Sequence, residues 1–415
     1  MNLEVTDRLR PLLDAVSAFI DERVVPADKE FLAEIGNGDR WSLNERQTEI
    51  LEGLKSAARK QGLWNFWLTD SEQGFGLTTV EYAYLAEQTG RAYLAAEAFN
   101  CSAPDTGNME VLERYGTEEQ KKQWLEPLLN GEIRSAYAMT EPDVASSDAT
   151  NIAASAVIDD GEWVINGEKT YISGAGDPRC KIMICMVKTN PDNARHQQHS
   201  QILVPMDAPG VKVVRPMHVF ENDDAPHGHM HIRFTDVRVP EANIILGPGR
   251  GFEIAQGRLG PGRIHHCMRA IGVAEHALKL MCERAVSRTA FGRPLAKLGG
   301  NYDRIAHARM NIDMARLLTL QTAHVIDTRG VQESQVWISK IKAVVPTVAI
   351  NVIDDAIQLH GAAGISQDFP LANMYTTTRT LRFADGPDEV HRMVVARNEL
   401  RPYVKAMTNS QETDK

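Results

Sequence analysis

The chain has 415 residues, of which 43% are hydrophobic and 24% charged, and its formal net charge is −10. This is the composition of an ordinary globular protein of two or three domains with a substantial core. The acidic balance argues against general nucleic-acid binding, no apolar run reads as a membrane span, and five scattered cysteines without a CxxC pair fit a reducing compartment rather than a zinc or disulfide framework. Residues 1–134 read as helical. Leu9, Leu12, Leu13, Val16, Phe19 and Ile20 recur with i, i+3, i+4, i+7 spacing, residues 45–61 and 80–94 repeat the pattern, and Thr117-Glu-Glu-Gln opens a capped helix. Acidic residues stand among the basic ones of the first helix, so no signal or transit peptide is expected and the cytoplasm is the expected location.

From Ser135 the pattern changes to short runs rich in Val, Ile and Met at 152–158, 162–173, 181–189, 201–206, 211–219 and 229–239, separated by turn signals. They predict a small barrel or sandwich over 135–247, with a tight hairpin turn at Asn166-Gly167. Gly247-Pro-Gly-Arg-Gly251 reads as a linker. Residues 248–415 then read as four long helices at about 252–288, 301–329, 332–360 and 388–406, with Gly361 and Gly364 ending the third. The expected fold class is α+β: a helical domain, a β domain, then a four-helix bundle.

Five segments carry candidate chemistry, each of them also readable, taken singly, as a plain turn or helix cap. Tyr137-Ala-Met139-Thr140-Glu141-Pro142, followed by Ser146-Ser147-Asp148, offers hydroxyls, amides and small residues suited to the polar edge of a planar heterocycle. Tyr171-Ile-Ser173 adds an aromatic face and a hydroxyl at a strand end. Arg288-Thr-Ala-Phe291-Gly292-Arg293 pairs two cations around an apolar residue, as a pyrophosphate requires. Gln358-Leu-His-Gly361-Ala362-Ala-Gly364 ends a helix in small residues that permit close approach. Leu381-Arg-Phe-Ala-Asp385-Gly386-Pro387-Asp388-Glu389 puts a lone carboxylate on a tight turn, where a carbon-acid base or a plain turn residue are both open readings. The His227-Gly-His229-Met-His231 run puts alternate imidazoles on one strand face, where hydrogen bonding is expected and no metal. His265-His266 is open between lining a ligand channel and ordinary packing.

In this order the motifs resemble the acyl-CoA dehydrogenase family, over nearly the whole chain. The resemblance implies FAD, with Tyr137, Met139, Thr140, Ser146, Tyr171 and Ser173 at the flavin. It also implies Arg288, Phe291, Gln358, Gly361, Ala362 and Glu389 as cofactor-binding residues, the adenosine half being shared across a homodimer or homotetramer. It implies an acyl-CoA substrate met by Ser147, Arg263 and the Gly386 amide, with Asp385 abstracting the α-proton and an electron-transfer flavoprotein as acceptor. Asp385 replaces the family's glutamate, shortening the reach by about 1.5 Å. Pro387, Glu389 and Gly299 depart from residues that touch FAD in many relatives, and Gly260-Pro-Gly262-Arg263 holds no carboxylate that might serve as an alternative base. The departures resemble a branch found fused to a phosphotransferase-like kinase domain and associated with long or 4-hydroxylated acyl-CoAs. A nitroalkane-oxidase-like flavin oxidase and a catalytically silent flavoprotein are the alternatives.

Overall fold

The computed structural model describes residues 3–68 and 74–413. The chain packs into two compact units, one comprising Met1–Asp14, Leu77–Arg91 and Arg263–Lys415, the other Ala15–Gly76 and Ala92–Gly262.

The second of these is built around a seven-stranded sheet: β1 (Arg134–Ala138), β2 (Ser155–Asp159), β3 (Glu162–Ser173), β4 (Cys180–Lys188), β5 (His199–Pro205), β6 (Val211–Pro216) and β7 (His229–Pro240). The spatial order is β1-β4-β2-β3-β7-β6, with β5 also paired to β4. Alternation sets the buried face. Along β7, Met230, Ile232 and Phe234 are buried while their neighbours face outward, and they join Ile165, Met183, Cys185 and Val204 in one core. Helices of the same unit include Glu45–Lys60, which starts at an Asn44/Gln47 capping box, and Asp105–Tyr115.

The expected hairpin turn at Asn166-Gly167 is not one. The chain reverses at Asp160-Gly161, whose φ angles of 53° and 76° make the two-residue turn joining β2 to β3. β3 continues unbroken through Asn166-Gly167, where the register with β7 slips. Glycine is needed there for space: a Cβ on Gly167 would lie 2.6 Å from the Ala154 Cβ.

The other unit is helical, with Thr79–Thr89, Asn301–Glu333, Gln335–His360, Leu371–Thr380 and Asp388–Thr413, together with Gly251–Ser287 from Arg263 onward. Gln335–His360 packs against Asn301–Glu333, Leu371–Thr380 and Asp388–Thr413, and Ile338, Ile341, Val345 and Ile353 are buried along it. Contrary to the sequence expectation, the stretch Gln335–Ile365 is long enough for a membrane span and contains an 18-residue window of mean hydropathy 1.5. Over half of its apolar window, 56%, is buried inside the protein, as befits the central helix of a bundle. Gly361, at φ 65°, ends that helix as expected. Leu371–Thr380 was not expected, because its Thr-rich sequence has weak helix propensity; contact with Gln335–His360 supplies what propensity does not.

Two glycines bring helices Thr79–Thr89 and Gly251–Ser287 to backbone contact. A Cβ on Gly90 would overlap the Arg269 carbonyl oxygen, and one on Gly272 would overlap that of Glu87.

Candidate active site

The turn between Leu371–Thr380 and Asp388–Thr413 holds Asp385 and Gly386 in succession at φ 56° and 105°. The left-handed region costs a non-glycine residue on the order of 1 kcal/mol, which the surroundings must repay. Three helices do so through main-chain oxygens. Arg263 Nε donates to the Asp385 carbonyl at 2.8 Å, and His391 Nε2 lies 3.3 Å from the same oxygen. Lys342 Nζ donates to the Gly386 carbonyl at 3.3 Å and also to that of Leu381. Arg382 Nε closes the base of the turn on the buried Asp388 carboxylate at 2.6 Å.

The Asp385 side chain is 18% exposed, and its Oδ2 lies 3.5 Å from His266 Nε2. Burial lowers the pKa of both Arg263 and Lys342, partly offset by attraction to Asp385. Burial, reinforced by Arg263 and Lys342, pushes His391 down to about 4, so it is a neutral ring at pH 7. The turn thus gathers the cations Arg263, Lys342 and Arg382 around two carboxylates, Asp385 and the buried Asp388. His265 turns away, its buried ring edge-on to Tyr82 with centroids 4.7 Å apart.

In the sheet unit, the candidate flavin residues sit at the ends of β1 and β3. Tyr137 lies under the Arg258 guanidinium, 3.8 Å from the ring centroid, and its hydroxyl accepts from Gln201 Nε2 at 2.9 Å. Arg258 Nε in turn donates to Asn108 Oδ1 at 3.1 Å. Met139 packs against Ile152, Met186 and Ala255. Lys169, fully buried, pairs with Glu141 at 2.8 Å and also donates to the carbonyls of Met139 and Met186. Glu141 accepts the amides of Ala153 and Ala154, and Ser146 Oγ accepts the Glu141 amide at 2.9 Å. These bonds fix the loop that leaves Thr140 and Ser147 at the surface. Tyr171 stands at φ 56° and 54% exposed, and Ser173 Oγ shares a 2.8 Å hydrogen bond with His229 Nδ1. His231 is engaged by Glu168 at 2.5 Å, so the histidine strand is occupied by hydrogen bonding.

The remaining candidates lie on the helical unit. Phe291 and Gly292, at φ 50° and 76°, form the tip of a hairpin between Thr289–Ala290 and Arg293–Pro294, with Arg288 exposed at its foot. Gln358, Gly361 and Ala362 are exposed at the end of Gln335–His360, and Glu389 is exposed in the first turn of Asp388–Thr413. Phe369 joins two of these regions, its ring 4.5 Å from that of His360 and 6.0 Å from the Arg284 guanidinium.

Three family models match in series: the acyl-CoA dehydrogenase N-terminal domain over residues 6–132, the middle domain over 136–237 and the C-terminal domain over 249–400. "Probable acyl-CoA dehydrogenase FadE2" of Mycobacterium tuberculosis is 56% identical over 352 residues, covering 85% of this chain and 86% of that protein. The chain belongs to the acyl-CoA dehydrogenase family. A solved structure of a "putative acyl-CoA dehydrogenase" from Mycobacterium abscessus superposes with a TM-score of 0.93 at 52% identity, covering 96% of this chain and all of that one. Acyl-CoA dehydrogenase family member 10 of Mus musculus is 56% identical over 95% of this chain. The chain spans 37% of that relative's length and 50% of family member 11 from Gallus gallus. The family motifs singled out Tyr137, Arg263 and Asp385. They did not single out Arg258, Gln201, Lys342, His266 or His391, each an unremarkable polar residue in its own helix or strand. Two of them had a sequence signal: His391 follows Asp385 by six residues in the same motif, and His266 belongs to the His265-His266 pair beside Arg263.

Proposed function

We propose that the chain catalyses FAD-dependent α,β-dehydrogenation of an acyl-CoA to a trans-2-enoyl-CoA, with Asp385 as the base. The observation that carries this reading is the Asp385 turn, a carboxylate displayed from left-handed backbone whose carbonyls are gripped by Arg263, His391 and Lys342. A base for a carbon acid must be held in place before the proton moves, since misplacement by 1 Å costs about 100-fold. Asp385 accepts the α-proton, and the electron pair of that C–H bond becomes the new Cα=Cβ bond. The Gly386 amide and Arg263 belong to the acyl-CoA side of the reaction, and Ser147 to the CoA chain.

The residues present fit FAD. Phe291 is 94% exposed between Arg288 and Arg293, an apolar ring and two cations matched to an adenine–pyrophosphate segment. Tyr171 and Ser173 supply an aromatic face and a hydroxyl for the flavin, with Tyr137, Met139, Thr140 and Ser146 on the β1 side; Gln358, Gly361, Ala362 and Glu389 complete the set. Bound FAD supplies the acceptor for the β-hydride. A second copy of the chain shares the adenosine half, and an electron-transfer flavoprotein takes the electrons. The working division is 1–134, 135–247 and 248–415. The substrate class we propose is a long-chain or 4-substituted acyl-CoA, on the resemblance to the branch that shares the Asp385 motif.

Asp385→Asn decides the matter. The holoenzyme should keep its FAD and assembly yet lose anaerobic bleaching by a panel of acyl-CoAs of graded length, with and without a 4-hydroxyl. Undiminished bleaching removes Asp385 from the mechanism. Bleaching of the wild type by nitroethane but by no acyl-CoA establishes the oxidase alternative, and no bleaching by either establishes the silent flavoprotein.

A further inference from the structure

We propose that His266 is a positioning residue for Asp385, a neutral hydrogen-bond donor that fixes one carboxylate oxygen and leaves the other to take the proton. This rests on the reading of Asp385 as the base.

The helix Gly251–Ser287 carries Arg263, His266 and Arg269 at i, i+3 and i+6, along one side of the helix. Arg263 reaches the Asp385 main chain and His266 its side chain. Behind the imidazole, Arg269 Nη2 lies 3.3 Å from His266 Nδ1. A guanidinium only donates, so Nδ1 must be the accepting nitrogen and the ring hydrogen of the neutral tautomer sits on Nε2. Nε2, which carries that hydrogen, lies 3.5 Å from Asp385 Oδ2. The gap is at the long limit of a hydrogen bond.

Two consequences follow from this tautomer. His266 offers Asp385 no lone pair, so it neither competes as the base nor receives the proton from it. The Arg269 guanidinium beside Nδ1 keeps that nitrogen the acceptor and leaves the ring hydrogen on the Asp385 side. A donor fixed to one oxygen restricts the carboxylate torsion. That is the degree of freedom on which an aspartate, with no methylene to spare, depends most. His391 performs no such task, since it engages the Asp385 carbonyl.

The test uses the FAD-loaded enzyme and an acyl-CoA that bleaches it. His266→Leu should slow flavin reduction about 100-fold. FAD content, flavin spectrum and acyl-CoA Kd should stay within about twofold, and the isotope effect with α-deuterated substrate should rise. His266→Gln places an amide N–H near the Nε2 position and His266→Asn does not, so Gln should reduce flavin at least about tenfold faster than Asn. An unchanged rate and isotope effect in His266→Leu overturns the proposal. Should the Leu variant not retain FAD, equal rates for Gln and Asn overturn it. Asp385→Asn in parallel separates the two ideas: if it too bleaches normally, the base assignment has failed rather than the positioning role.

Discussion

His391 shares an acceptor with Arg263 and lies close to Lys342, so its ring is held neutral by burial and by two cations. Its folded pKa, about 4, lies below the usual value of 6.5. The associated stability is complete above pH 6.5 and is lost as pH falls through 4, because the unfolded chain binds the proton first. The difference corresponds to at most about 3 kcal/mol. Thermal unfolding should therefore show a steeper fall in Tm between pH 6.5 and 4 for the wild type than for His391→Gln; identical profiles would show that His391 does not titrate as described. The same residue separates two roles easily confused at this turn. Side chains that grip the backbone determine where Asp385 stands, and His266 determines how its carboxylate points.

Among the elements, the contact between Thr79–Thr89 and Gly251–Ser287 has the least tolerance. Gly272→Ala places a methyl on the Glu87 carbonyl, and relief requires the helices to separate. The expected loss is about 1–3 kcal/mol, measured by denaturant unfolding, and because Gly272 shares a helix with Arg263 and His266 a slower flavin reduction should accompany it. Most elements were legible in the sequence. The long helices announced themselves by periodicity and caps, and the strands by alternation between turn signals. Asn166-Gly167 misled because glycine there answers crowding by Ala154 rather than chain reversal, and local sequence does not distinguish those needs. Leu371–Thr380 escaped because its helicity comes from a neighbour. Asp385 and Arg263 could be read from motifs. Lys342, His266 and Arg269 could not, since their partners lie far away in sequence or on a helix face that only the fold orients toward the turn.

For the molecule as a whole, the most exposed large apolar side chain on the helical unit is Phe291, and Ile365, Tyr302, Met314 and Leu317 are also more than half exposed. Phe291→Asp should shift the protein toward monomer in size-exclusion chromatography with light scattering and lower its FAD content together, if a second copy completes the adenosine site. Loss of FAD without dissociation would show that Phe291 serves the cofactor within one chain. The anchors at the Asp385 turn have a different kind of consequence. Arg263, His391 and Lys342 all hold carbonyl oxygens, groups that every amino acid possesses. The socket is therefore indifferent to the length of the side chain mounted in it, within the limits of a left-handed φ. On the proposed reading of Asp385 as the base, a longer carboxylate could be exchanged for a shorter one in a single step while the scaffold stays as it was.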